Sequence, residues 1–250
     1  ISLLYDDDIF KAFQLANTAM YIQLITSNDI DFGKHEKELT EINKSIEYNS
    51  LEYFKDYNAE ERQSQGKIKF IPKYRPFQLA FLLISIDGVV NKESKWRKDV
   101  VDLIWFPTGG GKTEAYLAVT ALTIVWRRFK NTEGYEGTTV IMRYTLRLLT
   151  AQQFERASRL IAALEFLRQQ KAYEGILKSE PISIGLWVGM SSTPNSFMVA
   201  KSKVEEIEKE CNLPNGNPKD KNAFQISACP WCGTKLISKD KKGWDFGFKT

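Results

Sequence analysis

Apolar positions divide the chain before any single residue does. Between residues 8 and 26, Ile9, Phe13, Ala16 and Met20 recur at helical spacing and predict an amphipathic helix. Residues 34–66 are rich in Lys, Glu, Asn and Tyr, with Leu39, Ile42 and Ile46 at helical intervals. A second helix or helix pair, exposed on one side, is expected there. His35, the only histidine, opens it and reads as a cap or solvated residue. The pattern changes after Gly66. Val100–Phe106, Thr138–Met142 and Ile182–Val188 are short apolar or β-branched runs of strand type. Between them, Glu114–Phe129 carries Leu117, Ala121, Ile124 and Val125 at helical spacing, and Leu148–Gln170 reads as another helix. Near-continuous apolar strands alternating with helices predict an α/β fold, a parallel sheet covered on both faces with right-handed crossovers. From Ser191 onward the chain turns polar: a charged helix over Val199–Cys211, a loop over Asn212–Asn222, then Ala228-Cys-Pro-Trp-Cys-Gly233 and a Lys-rich tail. The expected organisation is a helical extension over 1–66, an α/β part over 67–190 and a Cys-containing insert over 191–250.

Composition narrows the class without choosing a function. Hydrophobic content of 43% and charged content of 26% are ordinary for a soluble globular chain. No apolar run is long enough to span a bilayer, and the start lacks the basic residues and cleavage site of a signal peptide. It also lacks an initiator Met, so the numbered chain reads as a piece of something longer. Three cysteines, Cys211, Cys229 and Cys232, make no disulfide framework and favour a reducing cytoplasm. The net charge of +4 permits a polyanionic partner without requiring one.

The strongest chemistry lies in Phe106-Pro107-Thr108-Gly109-Gly110-Gly111-Lys112-Thr113-Glu114, after a predicted strand and before a predicted helix. Glycines let backbone amides fold around an anion, and the following helix adds its positive end. In that context the stretch is a P-loop for a nucleoside triphosphate such as ATP: Thr108, Gly109, Gly110, Gly111 and Glu114 line the cradle. Lys112 reaches the β- and γ-phosphates, and the Thr113 hydroxyl ligates Mg²⁺. Gly-rich turns also close ordinary strand–helix junctions, but not with Lys-Thr following three glycines. The strict motif would place glycine where Phe106 stands. Pro-Thr-Gly-x-Gly-Lys-Thr is instead the form found in superfamily 2 helicases, which this chain resembles.

That resemblance extends to flanking elements. Arg75-Pro76-Phe77-Gln78 places Gln78 34 residues before Lys112, and in the family a Gln so placed recognises adenine through a bidentate amide pair. A plain Gln at a helix start is the other reading. Arg147-Leu-Leu-Thr150-Ala-Gln152 resembles the family's motif Ia, which implies that Arg147, Thr150 and Gln152 grip a DNA phosphate, with Arg143 a weaker candidate; the alternative is a helix start with a solvated Arg. Gly189–Pro194 lies where the family places another backbone-binding loop, although Thr193 before Pro194 is also a simple helix start. With the late Ala-Cys-Pro-Trp-Cys-Gly, these motifs over roughly residues 70–240 are similar to the large helicase subunit of the DISARM anti-phage system. The resemblance implies a RecA-like lobe, an ATP-driven DNA helicase or translocase in phage defence, and a second subunit bearing a helicase-associated domain. A duplex translocase of restriction or remodelling type, and a nucleotide-gated scaffold that does not turn over, stay open.

Two features qualify the motor. The family's acidic motif II, one carboxylate for Mg²⁺ and one for the attacking water, is not found after Thr113. Glu205-Glu206 and Asp245 follow no apolar strand. The chain is therefore expected to hydrolyse little by itself. Cys229-Pro-Trp-Cys232-Gly233 is a half-site for structural Zn²⁺, needing two further ligands. A redox dithiol shares that spacing, and two reduced cysteines without metal are the plain alternative.

Overall fold

The computed structural model describes residues 2–32, 50–105, 110–143, 147–189, 193–224, 226–239 and 243–246. Nine α-helices are found among these: α1 (Asp7–Asn28), α2 (Leu51–Lys55), α3 (Ala59–Ser64), α4 (Pro76–Val90), α5 (Lys95–Lys98), α6 (Lys112–Lys130), α7 (Arg147–Arg168), α8 (Glu174–Leu177) and α9 (Phe197–Cys211). Short 3₁₀ turns lie at Ser2–Tyr5, Lys171–Tyr173 and Pro218–Lys221. The chain forms two compact units, residues 1–184 and 185–250.

In the first unit α1 packs along both α6 and α7, and α4 packs on α6. Helix α1 begins because the Asp6 carboxylate accepts from the N–H groups of Asp8 and Ile9, while Asp7 and Asp8 meet the positive end of the helix. Ile9, Ala16 and Met20 of the predicted stripe are buried, joined by Ala12, Leu15 and Ile22. Helix α6 buries Leu117, Ala121, Leu122, Ile124 and Val125, the face expected from its periodicity. Lys130 at the end of α6 donates to Asp8 of α1 at 2.8 Å. The polypeptide after α1 is fastened by the fully buried carboxylate of Asp29, which accepts from Tyr57 Oη and Arg62 Nε at 2.8 Å each. His35, Leu39, Ile42 and Ile46 lie outside the described residues.

The expectation of a parallel α/β sheet, and with it a RecA-like lobe with right-handed crossovers, is corrected. Among the described residues the only sheet is two-stranded and antiparallel, β1 (Ile237–Lys239) against β2 (Trp244–Phe246). The described parts of the three predicted strands form no ladder. Many of their apolar side chains face solvent: Val101, Leu103, Trp105, Ile141 and Trp187 are each more than four-fifths exposed, although Ile182 is buried. An apolar run favours extended backbone, but a strand exists only when a neighbour accepts its N–H groups and buries its side chains. Here side chains from helices take up part of the hydrogen bonding instead. Arg127 of α6 donates to the carbonyls of Gly134 and Thr138, anchoring the start of the second run.

A strap over residues 177–182 leads into the third run. Arg128, buried in α6, donates to the carbonyls of Leu177, Glu180 and Pro181 at 2.7, 2.6 and 3.0 Å. Arg168 of α7 donates to Ser179 O at 2.7 Å, and Glu165 accepts from Ile182 N–H at 2.9 Å. Burial opposes ionisation of Glu165, but hydrogen bonds from Arg168 and Ile182 outweigh it and hold the carboxyl below its usual range. Lys178 sits at φ 63°, a conformation few side chains adopt, and the flanking arginine contacts keep it there.

In the second unit α9 starts on a Ser196 cap and packs on the Pro218–Lys221 turn and on β2. The cysteine turn, closed by an Ala228–Lys235 bridge, precedes β1.

Candidate functional site

A phosphate-binding loop needs a helix start that no side chain has already capped. Helices α1 and α9 are capped by Asp6 and Ser196. Helix α6 begins instead on Gly111, which has φ 85° and no side chain to offer. Gly111 thus contributes no side-chain cap to the positive end of this helix. Lys112 and Thr113 are the first two residues of the helix and are half-buried. Gly110 is described, whereas Phe106, Pro107, Thr108 and Gly109 lie outside the described residues.

Two side chains from the start of α4 hold this glycine pair. Gln78 is buried, 4% exposed. Its Nε2 donates to Gly111 O at 2.7 Å, and its Oε1 accepts from Arg75 N–H at 2.7 Å. The second of these is one half of a capping box, and Pro76 occupies the first helical position, where no N–H is needed. Arg75 Nη1 donates to Gly110 O at 2.9 Å. The motif that sequence placed beside adenine is thus attached to the backbone of Gly110 and Gly111. An amide has two N–H groups and two lone pairs, so Gln78 keeps one of each beyond these bonds. A Cβ built on Gly111 would stand 2.7 Å from Gln78 Nε2. Glycine is required there twice, by conformation and by space.

Glu114, one helical position after Thr113, forms an ion pair with Arg156 of α7. Burial, with a smaller push from Arg159, lowers the Arg156 guanidinium below its ordinary value. This joins the phosphate-loop helix to the helix that opens at Arg147. Sequence reading missed Arg156. The available signal was its spacing, one turn beyond Gln152 on the same helix. Arg147 and Thr150 stand in the first turn of α7, with side chains outside the described set. Gln152 and Arg143 are exposed. In the Gly189–Pro194 stretch, residues 190–192 lie outside the described residues.

The Cys229–Gly233 turn belongs to the second unit. Gly233 N–H donates back to Cys229 O at 2.9 Å, Gly233 takes φ 72°, and Cys229 N–H donates to Thr234 O at 2.8 Å. Cys232 Sγ lies 3.2 Å from Thr234 Oγ1. This tight return suits two thiolates sharing one ion. Among the described residues no group of three or more His, Cys, Asp or Glu gathers to complete a metal site.

No known family profile matches the chain. Among curated proteins, the DISARM protein DrmA of Bacillus paralicheniformis is 42% identical over 188 residues, covering 71% of this chain and 16% of that protein. The chain thus spans about a sixth of the length of the relative it matches. No helix among the described residues is long and apolar enough to cross a membrane.

Proposed function

This chain is DrmA-like, and from that premise we propose that it carries the nucleotide-binding part of an ATP-driven DNA helicase or translocase in DISARM anti-phage defence. The observation that supports this best is the uncapped start of α6 at Gly111-Lys112-Thr113, with Gln78 and Arg75 bonded to the loop carbonyls. Lys112 would neutralise the β- and γ-phosphates, and Thr113 would ligate Mg²⁺, which polarises the transferring phosphoryl group. Arg75, Gln78 and Glu114 keep the loop and helix start in place. Glu114–Arg156 is a direct route by which nucleotide occupancy could be felt in α7, whose first turn carries Arg147 and Thr150. Those two residues, with Gln152 and Arg143, are the proposed grip on DNA. A second defence subunit bearing a helicase-associated domain is the proposed partner, and the cytoplasm the proposed compartment.

ATP turnover of the full-length protein, with and without single-stranded DNA, tests the motor. DNA-stimulated hydrolysis is expected, and Lys112→Ala is expected to remove it, since a single phosphate-clamping charge commonly carries several kcal/mol of transition-state stabilisation. Nucleotide binding without turnover in the parent protein would overturn the motor and leave a nucleotide-gated scaffold. Turnover and DNA tracking without strand displacement would favour a duplex translocase.

Cys229 and Cys232 are the proposed half of a structural Zn²⁺ site, completed by other residues. The full-length protein should purify with zinc, measured by elemental analysis, and Cys229→Ser with Cys232→Ser should lose about one equivalent. Equal zinc content in both would remove this site.

A further inference from the structure

We infer that the second unit carries its own single-stranded nucleic-acid contact, built from Lys219 and Lys239 around the Trp244 indole. Between residues 219 and 244 the sequence has six lysines against two aspartates, an excess equal to the +4 of the whole chain. This segment is thus locally basic. The two lysines reach the ring by separate routes. Lys239 is the register partner of Trp244 across the β1–β2 ladder, which places its ammonium 5.2 Å from the ring centroid. Lys219 comes from the Pro218–Lys221 turn, seated by buried Pro218 and by α9, which packs on both that turn and β2. Its ammonium lies 5.5 Å from the same centroid.

Both lysines are exposed, and neither pairs with a carboxylate among the described residues. Two acids of this unit whose side chains are described are engaged elsewhere. Glu206 holds Lys203 at 2.7 Å and also faces Lys221, and Asp220 accepts from Asn217 Nδ2 at 2.8 Å. Lys235, exposed at the Ala228 bridge, is a further cation two residues before β1. Two like charges gathered over one ring repel each other, and each exposed cation–π contact offsets only about 0.5–1 kcal/mol. An anion bridging them would relieve that repulsion.

The ring selects among anions. Cations beside an aromatic face match a nucleic-acid strand, whose phosphates take the ammonium groups while an unstacked base lies against the indole. A duplex keeps its bases stacked, so no base face is free to lie against the indole. An acidic peptide would meet the lysines but leave the indole unused. This surface is independent of the nucleotide site and of the proposed α7 grip.

Binding of a fluorescent 20-residue oligo-dT to the full-length protein, followed by anisotropy over a salt series, provides the test. Lys219→Glu with Lys239→Glu is expected to weaken binding about tenfold and to flatten the salt dependence by about 1.4, two single-strand phosphate contacts at about 0.7 each. Lys219→Arg with Lys239→Arg is expected to retain affinity, and fluorescent-ATP binding should be unchanged in both variants, which confirms folding. Arg147→Ala reports the α7 grip separately, so either contact can fail without the other. The inference is overturned if the double-Glu variant keeps the parental affinity and slope. It is also overturned if the double-Glu variant loses as much affinity for a duplex of equal length as for oligo-dT, or if polyglutamate displaces oligo-dT at equal charge concentration.

Discussion

Gly111→Ala is expected to lower ATP affinity at least tenfold while leaving the helical fold intact. The left-handed conformation at φ 85° disfavours any Cβ by about 1–2 kcal/mol. The new Cβ would also lie 2.7 Å from Gln78 Nε2, so either the amide or the loop must shift. The amide is poorly free to move, because it is buried and bonded at both ends. Displacing it forfeits its bond to Gly111 O, about 1 kcal/mol net. The loop therefore yields, and the N–H groups that should face phosphate are re-aimed. A tenfold loss corresponds to about 1.4 kcal/mol, within the sum of these effects. The companion variant Gln78→Ala separates two roles. If Gln78 acts by propping the loop, ATP and GTP affinities fall together. If it reads adenine with its remaining N–H and lone pair, only ATP affinity falls. The bonds already made to Arg75 and Gly111 favour the first result. In the double variant the steric part of the Gly111→Ala effect disappears, so the two losses should add to less than their sum. Full ATP affinity in Gly111→Ala would show that this glycine does not shape the phosphate site.

What could be read in the sequence follows from the range of the forces involved. Helices α1, α6, α7 and α9 were legible because a repeating apolar face is a local property, and their boundaries fell within a few residues of expectation. The glycine-rich stretch stood out because its glycines, lysine and threonine are contiguous, and Lys112 and Thr113 open α6 as the spacing suggested. The parallel sheet was expected wrongly, because Val101–Trp105 and Ile182–Val188 show an apolar pattern but not whether any neighbour pairs with it, and among the described residues none does. Gln78 shows the same gap at the site. Its distance from Lys112 along the chain pointed to the nucleotide, but only packing shows that its amide ends on the Gly111 carbonyl. Arg156 and Glu114, more than forty positions apart, carried no joint signal before α6 and α7 were placed side by side.

Arg127 and Arg128 are neighbours in sequence and alike in charge, yet their replacement by Met should differ by several-fold in stability. Arg128 is 4% exposed. It satisfies three carbonyls of the 177–181 strap and lies 5.6 Å from the centre of the Tyr135 ring. Burial already pushes its guanidinium below the ordinary value, which marks how little solvent supports the charge. Methionine fills most of the space and leaves the carbonyls without donors. Each hydrogen bond to a charged group is worth about 1.5–3 kcal/mol and each buried polar group left unpaired costs about 1–3. Residues 178–180 border solvent and can be partly rehydrated, so the net loss should be about 3 kcal/mol rather than the full sum. For a unit of 184 residues this corresponds to a fall in Tm of about 6–12 °C. Arg127, half-exposed, donates to two carbonyls that water can serve instead, and Arg127→Met should cost less than about 1 kcal/mol. The comparison isolates burial from charge, because both variants remove one cation from the same helix end. Thermal unfolding of the two, side by side, decides it. Equal shifts would mean that the strap is held by its own backbone or by Arg168 and Glu165. A large shift confined to Arg128 would identify it as the residue that keeps the strap on α6.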